Sequence, residues 1–392
     1  MNSICIKEKC TGCMACLNIC SHKAITIKED ECGFLYPDID EDKCVNCGLC
    51  HKQCPVNNEQ GGRYPIMCYA ATLRDNVDLK LSASGGAATA FMRHVVKKGG
   101  VVYGCDGHDV FHVRHTRIIS IEEVESLRGS KYVQSYIGDV FSQVKEDLKA
   151  GKMVLFSGLP CQVAGLKTFL RVDYKQLITI DLVCHGVPSQ KMLTDNIHLY
   201  TRKENSTKID VAFRRKTVAN KEYNTRLKSA RIEFGWFCRI SQTREIQRKF
   251  HQDPYMLGFL SCLTFRPCCY SCRYASSSRV ADITLGDFWG IGDDAGMPIG
   301  KGVSACLINT ERGRDFFNMA SQEMNVVCRD PVEAIVGNGQ LQRPSNKHRQ
   351  CDLFQNLYPK IGLKQAIHKC LWAEKVKLLY VQPIMEFIRK II

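Results

Sequence analysis

Residues 10–20 read CTGCMACLNIC, and residues 44–55 read CVNCGLCHKQCP. Cys10, Cys13, Cys16 and Cys20 repeat the spacing of Cys44, Cys47, Cys50 and Cys54, with twenty-three residues between the runs. The pattern C-x2-C-x2-C-x3-C, written twice, is the bacterial ferredoxin arrangement for two [4Fe–4S] clusters. Three close thiolates wrap one face of a cubane, and the fourth reaches across to the other cluster. The spacing therefore assigns Cys10, Cys13, Cys16 and Cys54 to one cluster, and Cys44, Cys47, Cys50 and Cys20 to the other. Zinc sites pair their ligands two and two and do not explain runs of three plus one. Pro55 follows the second run, but Ser21 stands where the first would carry proline, and Cys5 and Cys32 are spare. Such clusters pass single electrons, so the function lies in what the remaining residues do with them.

Working outward, 392 residues exceed one small domain. The 45% hydrophobic and 24% charged content is that of a globular protein. No apolar run reaches eighteen residues, which predicts no membrane span. Twenty-three cysteines behind an N-terminus without an apolar signal core point to a reducing compartment, hence a cytoplasmic protein whose cysteines bind metal rather than form disulfides. Residues 1–60 carry six lysines against nine acids, a net −3, and the rest of the chain carries +17. A basic body could dock its own acidic head, an acidic electron donor or an anionic small-molecule substrate. Nucleic acid is not expected, because no helix-turn-helix, zinc-finger or RNP pattern accompanies the charge.

The segment VNNEQGGRYP after Pro55 reads as a linker. Strands are expected at 66–73, 101–104 and 110–113, and helices at 87–97, 121–127 and 140–149. Residues 153–156 (MVLF) and 177–183 (LITIDLV) read as buried strands around a helix at 163–170, a βαβ unit. The tight turn 157–162 (SGLPCQ) and the loop 184–189 (CHGVPS) each carry a cysteine where parallel sheets bind ligands. Residues 202–249 hold fourteen basic against five acidic side chains; runs at 210–213 and 230–234 suggest a β-rich insertion. The last eighty residues read as helical, ending in a basic amphipathic tail at 375–392.

The expected architecture is an α+β ferredoxin-like head followed by an α/β body with a central, mostly parallel sheet and a helical C-terminal region. The boundaries fall at 1–60, 67–145, 150–310 and 311–392. Cys161, Cys184, Cys269 and Cys272 make a further set of four thiols, enough for a third [4Fe–4S] cluster, with zinc as the competing occupant and Cys268 as a competing ligand. Ser84, Gly85 and Gly86 open a helix whose free N–H groups suit a phosphate, and Ser130 and Lys131 could add a hydroxyl and a cation. Plain capping and surface roles compete at both places. His185 is a candidate proton donor or a core histidine; Asp282 and Asp287 read as structural. The catalytic residues are not legible.

The motifs GFLYPDID, SASGG, GSKYVQS, LFSGLPCQVAGLK, VCHGVPS, FRPCCYSC and RVADITLGDFWG occur in one order over residues 10–290. In them the chain resembles the coenzyme F420 hydrogenase/dehydrogenase beta-subunit family, in its form with an N-terminal double ferredoxin. The resemblance implies a flavin, usually FAD, in the body, fed through iron–sulfur clusters by a ferredoxin-like donor. It also implies an oxidoreductase, with a link to surface-polysaccharide synthesis among ferredoxin-headed relatives. A non-catalytic electron-transfer subunit is the alternative. Neither the acceptor nor the use of coenzyme F420 follows from the residues.

Overall fold

The computed structural model describes residues 3–201, 209–217, 233–240, 244–297 and 299–377. Most of the expected strand at 230–234 and of the tail at 375–392 lies outside them.

In the head, β1 (Ile25–Glu29) and β2 (Leu35–Ile39) form an antiparallel hairpin, Ile25 opposite Ile39. Each cysteine run leads into a short helix, Ala15–Ile19 or Leu49–Lys52. The two runs share one backbone trace. Gly12 and Asn46, two residues after the first cysteine of each run, have φ of 67° and 54°. Met14 and Gly48, one after the second, have φ of 60° and 71°. Left-handed residues alternating with cysteines gather backbone N–H groups into a concavity, the nest found at many iron–sulfur sites.

The body is built on one eight-stranded sheet. Its strands are β3 (Met67–Leu73), β4 (Val101–Asp106), β5 (Arg114–Ile118), β6 (Val154–Gly158), β7 (Leu177–Leu182), β11 (Ile283–Asp287), β12 (Ser304–Ile308) and β13 (Met324–Arg329). The order is β13-β3-β12-β11-β7-β6-β4-β5. Only the centre, β4, β6, β7 and β11, is parallel. The outer pairings are antiparallel, so the sheet is mixed rather than mostly parallel. The smaller sheet β8 (Asp210–Thr217), β9 (Glu233–Arg239) and β10 (Glu245–Lys249) is antiparallel, in keeping with a β-rich insertion.

The central strands are buried on both faces, which is why they read as continuous apolar runs. Alternate residues serve opposite cores. Val102 and Leu155 meet the helices Ala87–Lys97 and Glu311–Ala320. Val101, Tyr103, Val154 and Phe156 meet Val140–Lys149 and Pro160–Leu170. That second core also takes in Cys13, Met14, Ala15 and Ile19, so the head is packed into the body. No helix among the described residues is long and apolar enough to cross a membrane.

The helices 87–97 and 140–149 have the expected bounds. Several other expectations fail for local reasons. Residues 110–113 form a turn, with Val110 and Val113 buried; their hydrophobicity marks packing, and the strand follows at 114. The helix expected at 121–127 is only Val124–Leu127, although Glu123 does accept from the N–H of Ser120 at 2.9 Å. SGLPCQ is not a free turn: β6 runs through Gly158, and a helix starts at Pro160, whose missing N–H costs nothing at a first helical position. The C-terminal region is not all helical, since β13 pairs antiparallel with β3 over Met324–Arg329.

Candidate iron–sulfur and redox site

Cys10, Cys13, Cys16 and Cys54 line one small cavity with Cys5, Ile4, Ile27, Leu35 and Val56. The fourth cysteine of the second run thus joins the first three of the first run. Cys5, spare in the spacing, lies among them; its thiol bonds Cys10 and Cys54 and draws them down, Cys10 to about 6 and Cys54 to about 7. Burial pushes Cys13 up to about 12 and Cys16 well above the usual thiol range. The other set lies at the free end of the head. Cys47 is exposed and Cys20, Cys44 and Cys50 are half-buried. Burial raises Cys50, as do the nearby sulfurs of Cys20 and Cys47.

In the body, Cys161 sits on the first turn of the helix after β6, and Cys184 two residues beyond β7. Cys268, Cys269 and Cys272 lie on and just after the turn Pro267–Ser271. All five line a second cavity with Thr11, Gln134, Leu159, Val187 and Tyr274. Burial raises Cys161 well above the thiol range and Cys184 to about 12, with Cys272 the next cause for both. The Cys268 thiol is lowered by its bond to Cys269 and by Arg266, which leaves Cys268 a competitor for the ligand role. A tetrahedral ion with 2.3 Å bonds needs its sulfurs about 3.8 Å apart. Among the described residues no three His, Cys, Asp or Glu side chains converge in this way. The thiols surround a space instead, which suits a cluster with one iron per sulfur.

The two cavities meet. Thr11 lines both, and its buried hydroxyl faces the Cys13 thiol. The joint is made largely with backbone carbonyls. Gln134 donates to Thr11 O (3.1 Å), Asn18 to Gly138 O (2.7 Å), Ser189 to Cys32 O (2.6 Å) and Lys191 to Glu31 O (2.8 Å). Arg266 donates to Cys10 O (2.7 Å) and Leu35 O (2.8 Å).

Two of the residues expected at a flavin, Ser84 and Lys131, bond to the chain itself. The Ser84 hydroxyl donates to Val303 O (2.9 Å). A side chain at Gly85 would collide with Ala71 O and Ser304 N. Gly86 caps the helix at φ 88°, and its first N–H, on buried Ala87, reaches Ser304 Oγ at 3.5 Å. The Lys131 ammonium donates to Ser126 O (3.2 Å) and Arg128 O (2.8 Å). Ser130 lies beside it, after Gly129 at φ 84°. Arg128 pairs with Asp78, on the helix Asn76–Leu81, at 2.9 Å.

His185 packs between Phe259 and Phe265, and burial lowers its pKa, as for a core histidine. Asp282 ties β11 to β7 through the N–H and hydroxyl of Thr179 (2.9 and 2.7 Å), away from the thiols. Asp287, at the other end of β11, pairs with Arg214. Cys5, Thr11, Gln134 and Arg266 are not singled out by spacing. Their local hints are slight: Thr11 follows Cys10, Gln134 lies in GSKYVQS, and Arg266 stands two residues before Cys268.

Residues 9–58 match the 4Fe-4S dicluster domain. Residues 151–334 match the C-terminal part of the beta subunit of the coenzyme F420 hydrogenase/dehydrogenase family. Two proteins of Methanocaldococcus jannaschii resemble the head. An uncharacterised polyferredoxin-like protein is 39% identical over 59 residues, 13% of this chain and 35% of the relative. An uncharacterised ferredoxin is 37% identical over 51 residues, 13% of this chain and 65% of the relative. The chain therefore spans about a third and about two thirds of their lengths. Among solved structures, a chain of the F420-reducing [NiFe] hydrogenase complex from Methanosarcina barkeri aligns at 18% identity and a TM-score of 0.45, over 71% of this chain and 90% of that one.

Proposed function

We propose that this chain, which joins a 4Fe-4S dicluster domain to the C-terminal region of coenzyme F420 hydrogenase/dehydrogenase beta subunits, carries electrons from the free end of its head into its body. Bound iron–sulfur clusters would supply one-electron storage and transfer at each thiol set, and nothing more. Cys44, Cys47, Cys50 and Cys20 would hold the outer cluster, within reach of a donor such as a ferredoxin. Cys10, Cys13, Cys16 and Cys54 would hold the inner one. Cys161, Cys184, Cys269 and Cys272 would hold a third. The observation that carries the reading is the shared wall: Thr11 borders both the inner head cavity and the body cavity. The nest N–H groups of the head favour the negative charge of a thiolate-ligated cluster.

The flavin, the acceptor (coenzyme F420 included), a cytoplasmic setting and a part in surface-polysaccharide synthesis rest on resemblance. The engaged donors of Ser84 and Lys131 favour the second reading, a non-catalytic subunit that passes electrons to a separate enzyme. Iron and flavin stoichiometry on anaerobically prepared protein tests the scheme. Cys184→Ser is expected to lower iron by about four per chain with the head signals intact. Unchanged iron sinks the third set. Bound or titratable flavin, with reduction of a small molecule by the isolated chain, decides for the enzyme over the subunit.

A further inference from the structure

Arg266 is fully buried, and apart from the thiols of Cys10 and Cys268 its hydrogen-bond partners are neutral oxygens. Its three nitrogens donate to Cys10 O, Leu35 O and Gln134 Oε1, and its guanidinium lies 4.2 Å over the ring of Tyr36. Among the described residues no carboxylate lies within ion-pairing distance of it. Arg279, equally buried, shows the ordinary solution: Asp181 stands 2.8 Å away. A guanidinium stays charged in a protein, and a buried charge without a counter-charge is strongly disfavoured. The acidic groups that act most strongly on Arg266 are the thiols of Cys10 and then Cys268, followed by Tyr36 and Cys269. Cys10 belongs to the inner head set and Cys268 and Cys269 to the body set. Gly12 of the head reaches the same group, since a Cβ there would lie 3.1 Å from the guanidinium.

We infer that Arg266 is the internal counter-ion of two clusters, the inner head cluster and the body cluster, and raises the reduction potentials of both. This rests on the thiol sets assigned under the proposed function. Four thiolates around an iron–sulfur core leave a net negative charge, which grows by one when the cluster takes up an electron. A fixed cation between two such groups favours the reduced form of each. None of Cys20, Cys44, Cys47 and Cys50 is among the groups that act most strongly on Arg266, so the outer head cluster should be spared.

The test is an EPR-monitored redox titration of the full chain with dithionite, native and Arg266→Met, with the outer signal assigned through Cys47→Ser. Two signals are expected to fall by at least tenfold in the one-electron equilibrium constant, 59 mV per tenfold, while the outer signal stays. Arg266→Lys, which keeps the charge, should restore most of the shift. Unmoved potentials in Arg266→Met, or an equal shift of every signal, overturn the inference. If the native protein shows head signals alone, the third set fails, and the inner head signal still decides for or against Arg266. Should Arg266→Met not retain iron, native protein labelled with 15N-guanidino arginine gives the answer by ENDOR. Nitrogen coupling to the inner head cluster is expected, and its absence refutes the role.

Discussion

Gly165 lies in the middle of the helix Pro160–Leu170, where an alanine would ordinarily stabilise by about 1 kcal/mol. Here the sign should reverse. A Cβ at 165 would stand 2.9 Å from both Cβ and Sγ of Cys13 and 3.3 Å from Phe141 Cε2. Overpacking of this kind costs about 1–3 kcal/mol. Set against the helix gain, Gly165→Ala should be neutral to roughly 2 kcal/mol destabilising. The two forms of the protein should differ within that range. Without metal, Cys13 can shift by a few tenths of an ångström, and the loss should be small. With iron bound, its sulfur is fixed from the far side, and the loss should approach the upper end. Anaerobic urea denaturation checks this, followed by iron–sulfur absorbance for the loaded form and by tryptophan fluorescence for both. A variant about 1 kcal/mol more stable than native in both forms would refute the reasoning, because the glycine would then be an ordinary helix residue with open space beside it.

His115 is buried against Phe156, and burial holds its pKa down to about 4 from 6.5. Between those values the unfolded chain binds the proton and the folded one does not, so stability is full above pH 6.5 and falls as pH drops toward 4, by about 3 kcal/mol in all. His115→Gln should flatten that slope, and parallel urea-midpoint profiles for native and variant between pH 7 and pH 4.5 would count against it. Arg279→Met leaves Asp181 buried without its partner, with one carboxylate oxygen already unbonded, and should cost about 3–5 kcal/mol. Adding Asp181→Leu should recover most of the lost melting temperature; no recovery would mean that packing rather than charge is at stake.

What is legible in the sequence is local. The eight head cysteines fall in two short runs, and the helices at 87–97 and 140–149 carry apolar periods long enough to bound them. The failures depend on distant partners. β13 is a strand because β3, some 250 residues earlier, offers it an edge. The sheet is mixed because β12 and β13 return beside the first body strand, an order that no window of sequence contains. Cys161 and Cys184 reach one cavity because they follow neighbouring parallel strands, and the turn Pro267–Ser271 brings Cys268, Cys269 and Cys272 to it; yet Cys161 stands on a helix rather than a turn, since Pro160 starts that helix instead of breaking it. Arg266 has only its place in FRPCCYSC to mark it, and a lone arginine next to cysteines is ordinary until its burial and its missing carboxylate are known.

The charge asymmetry of the chain also takes on a different meaning. An acidic head and a basic body suggest docking by ion pairs, but among the described residues no salt bridge crosses the joint. The joint uses carbonyl acceptors, which need no counter-charge. Four of the head's acids, Asp38, Asp40, Glu41 and Asp42, precede Cys44 and exposed Cys47, while Asp30 and Glu31 lie beside the joint. One buried cation stands at the inner end. For a negative charge entering at Cys47, the four acids near the mouth would be repulsive and the buried Arg266 attractive, and the low dielectric around Arg266 would strengthen the second. An electron would thus gain by moving inward even if the clusters were chemically alike. The same acids at the mouth would draw a donor with a basic face, so a rate of head reduction that falls as ionic strength rises is the kinetic sign of this arrangement.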